Sequence, residues 1–105
     1  MKQPNMQNMM KQAQRMQAEM ARVQEELKAD RVEASVGGGA VKVVMTGELL
    51  VESVAIDAEA VDTDDLAMLE DMVAAAVNEA VRQAQDLAAR KMQAATGGIG
   101  LPGLF

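Results

Sequence analysis

Apolar side chains recur at alternating steps of three and four through the first quarter of the chain: Met6, Met9, Ala13, Met16, Met20, Val23 and Leu27. That is the seam of an amphipathic helix of heptad character. The spacing predicts a helix over 5–28, roughly 36 Å long at 1.5 Å per residue. Gln, Lys, Arg and Glu, all good helix formers, fill most other positions. Pro4 and Asn5 suit its start. A Met stripe at this spacing reads first as a packing surface. Because Met fills irregular gaps, it also suits an adaptable partner surface.

The period then shortens to two. Val32, Ala34 and Val36 alternate with Arg31, Glu33 and Ser35, predicting a first strand over 30–36. After Gly37-Gly38-Gly39, Val41, Val43 and Met45 alternate with Lys42, Val44 and Thr46. Thr46-Gly47-Glu48 is a turn signal, and Leu49 to Ile56 resumes in a β-branched register. Three antiparallel strands with short loops are expected. The glycine triplet lacks a following Gly-Lys-Ser/Thr and precedes a strand, so it reads as a permissive turn and not a phosphate cradle.

Asp57 to Asp65 is acidic and polar. Asp62 or Thr63 can cap a second helix, with Asp64 and Asp65 at its positive end. Leu66, Leu69, Val73, Val77, Ala80, Ala84 and Leu87 keep to one side, and the pattern carries the helix to about Met92. Arg90 and Lys91 fall in its last turn. A Gly-rich tail follows, so the expected division is one domain over 1–96 and a flexible tail over 97–105. The fold class is α+β, in the order α-β-β-β-α, with two long helices flanking a three-stranded antiparallel sheet.

Composition removes most chemistry. The 105 residues contain no Cys and no His, so thiolate chemistry, the commonest general base and the commonest transition-metal ligand are missing. Ser35 and Ser53 have no His to activate them. Glu33, Glu52, Asp57 and Glu59 could form a carboxylate pair, but a solvated sheet edge explains them as well. The expectation is no enzyme, no cofactor, no metal and no small-molecule substrate. No apolar run approaches the ~18 residues of a membrane span. A soluble cytoplasmic protein without membrane contact is expected.

Charge changes the picture. The net charge is −6, yet it is divided. Residues 1–24 carry net +3, residues 25–79 net −11, and residues 80–105 net +2. A short sheet cannot cover two long helices, so helix ends must project; its edges and apolar face also favour a two-fold dimer. If the helices run antiparallel, the projecting ends are the basic ones. Each protomer would then hold Lys2, Lys11, Arg15, Arg90 and Lys91 at one tip, away from an acidic body. Such tips suit a rod-like polyanion gripped by its backbone.

Three stretches, MMKQAQRMQAEMARVQEEL at 9–27, GGGAVKVVMTG at 37–47 and MLEDMVAAAVNEA at 68–80, resemble the YbaB/EbfC family of bacterial nucleoid-associated proteins. The likeness spans nearly the whole chain, including the closing GLPGLF, and departs at Ala58, where the family often has Pro after Ile-Asp. It implies a tweezer-like homodimer in the nucleoid, binding double-stranded DNA through helix ends, without enzymatic activity. The family's helix-end contacts match Lys11, Arg15, Arg90 and Lys91. With Lys2, Arg22 and Arg82 these make up the expected DNA-binding set. The competing reading is a protein-interaction adaptor, docking its Met seam or apolar tail on a partner in DNA replication, recombination or repair.

Overall fold

The structure, a computed structural model, describes residues 6–99. Helix α1 spans Met6–Ala29, strands β1, β2 and β3 span Arg31–Val36, Val41–Thr46 and Val51–Ile56, and helix α2 spans Leu66–Ile99. The sheet is antiparallel in the order β1-β2-β3. The expected α-β-β-β-α order holds.

Alternation decides which sheet face is buried. Val41, Val43 and Met45 of β2 are fully enclosed, and the register sets Val36, Ala34 and Val32 of β1 beside them. Against this face lie Ala76, Ala80 and Ala84 of α2, all at 0% exposure, ringed by Leu69, Met72, Val73, Val77 and Val81. The alanines let the helix axis approach the sheet closely. Each buried Val or Met side chain contributes about 1.5–3 kcal/mol of hydrophobic stabilisation. Leu66, expected on the packed side, is exposed instead; the α2 residues packed against the core begin at Leu69.

Local chemistry moves three boundaries. Thr46 Oγ1 accepts the amides of Glu48 and Leu50, so the turn runs through Leu49, which has φ 69°, and β3 begins only at Val51. The N-cap of α2 is Asp65, whose Oδ1 accepts the Met68 amide at 3.1 Å, while Asp62 closes a local turn by accepting the Asp64 amide. At its other end α2 runs past Met92 to Ile99. The expected tail therefore starts inside the helix, and residues 100–105 lie outside the described residues. All three glycines of the triplet have positive φ, which explains why the β1–β2 connection uses them.

A second cluster joins the helices: Val23 and Leu27 of α1 pack with Leu87, Ala88, Met92 and Ala95 of α2. The long dimension of the molecule is 76 Å. Helix α2 alone accounts for roughly 51 Å of it. Lys91 lies beside Glu26 and Asp30, and Ala95, further along α2, joins the cluster of Val23, further back along α1; α1 therefore runs antiparallel to α2, and its exposed start carries the axis onward. The radius of gyration of 20.5 Å compares with about 13 Å for a compact chain of this length.

Candidate nucleic-acid interface

Residues 6–15 are exposed throughout, and the first fully buried side chain of α1 is Val23. The start of α1 is therefore an arm clear of the body. Residues 6–18 contain Lys11 and Arg15 and no acidic residue. With Asn8 and Gln12 these two basic residues line an open depression on one face of the arm. The positions 8, 11, 12 and 15 follow the i, i+3, i+4, i+7 rule, so the helical spacing alone could have pointed to Asn8 and Gln12.

The other expected basic residues differ in surroundings. Arg22 is on the same helix face as Lys11 and Arg15, but it is bound to Glu19 at 2.7 Å and to Glu26 at 2.9 Å. Those carboxylates hold its guanidinium above the ordinary arginine value, Glu19 more than Glu26. Arg82 is likewise held by Glu79 at 2.6 Å and Asp86 at 3.1 Å. Its hydrogen bond pulls the Glu79 carboxyl down to about 2, with a smaller contribution from Gln83. Lys2 lies outside the described residues. Among the described residues, Lys11, Arg15 and Arg90 form no ion pair.

Lys91 does not share the tip. Its ammonium lies 2.7 Å from Asp30 Oδ2 and 3.5 Å from Glu26 Oε2, at the base of α1. Glu26 is fifteen residues beyond Lys11, roughly 22 Å along the helix. The structure brings Lys11 and Arg15 together and leaves Arg90 and Lys91 nearer the body. The reason is that α2 ends well short of the start of α1, so the two basic segments are staggered. Lys42 is exposed on the polar face of the sheet, which also carries Arg31, Glu33, Ser35 and Ser53.

No group of three or more Asp and Glu side chains among the described residues is placed to hold a metal ion, and no described helix is long and apolar enough to cross a membrane.

Three comparisons bear on this geometry. The chain is 53% identical over 102 residues to a nucleoid-associated protein of Acetivibrio thermocellus, covering 96% of this chain and 90% of that protein. It is 52% identical over 101 residues to a nucleoid-associated protein of Pelotomaculum thermopropionicum, covering 96% of each. Its fold matches the crystal structure of uncharacterized protein HP0035 from Helicobacter pylori with a TM-score of 0.74, over 93% of this chain and all of that one, at 17% identity. Residues 1–99 match the model of one family of DNA-binding proteins over both helices and the whole sheet, and on that match the chain belongs to the YbaB/EbfC DNA-binding family.

Proposed function

We propose that this protein is a nucleoid-associated homodimer that binds duplex DNA through the phosphate backbone, largely without base readout, and acts in the cytoplasmic nucleoid on DNA organisation or gene expression. The observation that carries the reading is the arm of α1. It presents Lys11 and Arg15 with no acidic neighbour in residues 6–18, ahead of a body whose other cations are mostly neutralised by carboxylates. Phosphate contacts need unpaired cations more than they need net positive charge. Arg90, exposed and without an ion pair among the described residues, adds a cation nearer the body. The lack of His and Cys favours a binding role over catalysis.

Self-association rests on β3. Val54 and Ile56 pair with Val43 and Val41 and so lie on the face covered by α2. Yet Val51, Val54 and Ile56 are 43–48% exposed, because the core between sheet and helix draws on β1 and β2 alone. Leu49, Leu50, Leu66 and Met68 are exposed as well. An apolar edge strand with unpaired backbone groups is an aggregation hazard unless covered. A second copy, set edge to edge, would cover it and yield two arms.

A mobility-shift titration of duplex DNA at several salt concentrations tests the function. Binding that weakens linearly in log salt and is lost in the Lys11→Ala/Arg15→Ala variant is expected. Absence of binding at low salt would overturn the proposal. Met6, Met9 and Met10, more than half exposed on the same arm, would then favour the adaptor reading, with the arm docking on a protein partner.

A further inference from the structure

Three elements converge where α1 meets the sheet. The Asp30 carbonyl accepts the Gly47 amide at 3.1 Å, tying the end of α1 to the β2–β3 turn. Asp30 Oδ2 is shut off from solvent and receives no well-aligned hydrogen bond; its compensation is the Lys91 ammonium at 2.7 Å. Lys91 reaches Glu26 as well. The other ion pairs among the described residues lie within one helix or, for Arg31 and Glu52, within the sheet. Those of Lys91 link α2 to the base of α1, and they are the least exposed, with Lys91 and Asp30 at 25% and 29%.

We propose that Lys91 is a positioning residue, which through Asp30 and Glu26 fixes the direction in which the α1 arm leaves the body, and that it does not itself hold phosphate. The remaining contact between the helices is a small apolar cluster of Val23, Leu27, Leu87, Ala88, Met92 and Ala95. Apolar burial is non-directional, and small side chains let helices slide and tilt. A charged pair with a short, defined contact resists both. Leverage makes this matter: with about 17 residues of arm beyond Val23, a tilt of about 10° at the base moves the tip by about 4 Å. The effect on DNA rests on the function proposed above, whereas the effect on arm direction does not.

The chain has no cysteine, so spin labels can be placed singly. Gln14→Cys on the arm and Ser35→Cys on the sheet report arm direction, with labelled protein diluted in unlabelled copies to isolate the distance within one chain. Without DNA, Lys91→Met and Asp30→Asn should each broaden the distance distribution, on the scale of about 2 Å per 10° of tilt at Gln14, nine residues beyond Val23. Lys91→Arg should restore the narrow distribution, which a purely space-filling role would not explain. Should Lys91→Met fail to fold, Asp30→Asn carries the test, since it keeps the shape of the side chain. Unchanged widths in Asp30→Asn would overturn the proposal. So would unchanged width in a folded Lys91→Met protein whose salt dependence of DNA binding falls by about one to two units, which would make Lys91 a phosphate contact. Absence of DNA binding in the parent protein would overturn the proposed function and leave the distance result standing.

Discussion

Gly47 lies so close beneath the last turn of α1 that a Cβ on it would come 2.6 Å from the carbonyl oxygen of Leu27. Its own amide donates to Asp30. The obstructing atom belongs to backbone, which cannot swing aside. Gly47→Ala should therefore lower stability by about 1–3 kcal/mol, as overpacking does. Calorimetry would register this as a melting temperature lower by roughly 4–8 °C per kcal/mol. A variant melting with the parent would mean that the base of α1 is free to lift from the turn.

The neutralised cations predict an asymmetry in DNA binding. Lys11→Ala or Arg15→Ala should flatten the plot of log affinity against log salt by about 0.9 per lost contact, doubled where two arms engage. Arg22→Gln made together with Glu19→Gln keeps the net charge and should leave the slope unchanged. Lys42→Ala, on the sheet, should do the same. Loss of binding in the Lys42 variant alone would move the interface onto the sheet.

The exposed β3 edge predicts a dimer. Val54→Lys places a charge on the exposed apolar face of β3, which also carries Val51 and Ile56. Sedimentation at micromolar concentration should show a dimer for the parent and a monomer for the variant, with helical content retained. A monomeric parent would remove β3 as a self-association surface.

The Glu79–Arg82 contact predicts an acid-side effect. Glu79 titrates at about 2 in the fold, against an ordinary value of 4.5. A depressed carboxyl contributes stability in full above its unfolded value and loses it as pH falls through the folded value. Glu79→Gln should flatten the fall in melting temperature between about pH 4.5 and 2. The pair is exposed, so the change is small. Identical pH profiles would show that the contact does not persist in solution.

At the alkaline end the sign reverses. Contact with the Asp30 carboxylate, then the charges of Asp30 and Glu26, hold the Lys91 ammonium above its ordinary 10.5, against the opposing effect of burial. Its contribution is complete below 10.5 and is lost as pH rises through the higher folded value. The arm-to-sheet distance distribution should thus stay narrow up to that ordinary value and widen above it. A width that does not respond to pH there would mean that the apolar cluster alone holds the arm.

Much of the architecture was legible in the sequence because local patterns carried it. The three-four steps of α1, the alternation of β1 and β2 and the glycine triplet each state a period or a backbone conformation that a chain of these residues adopts. The basic character of the arm was equally legible, since no acidic residue interrupts 6–18. Contacts between segments distant in sequence were not. No local pattern says that Lys91 ends beside Asp30, sixty-one residues away, or that α1 overshoots α2 and so separates Lys11 from Lys91. Nor does periodicity show that the apolar face of β3 is left bare while those of β1 and β2 are covered, because all three strands alternate or branch in the same way. The sequence set the periods and the charges of the parts. Helical spacing alone sets the pairs of Arg22, Lys28 and Arg82, whose carboxylates lie three or four residues away. Tertiary packing decided that Lys91 meets Asp30 and Glu26 and that the start of α1 stands clear of the body, since those distances are defined only once helices and sheet assemble.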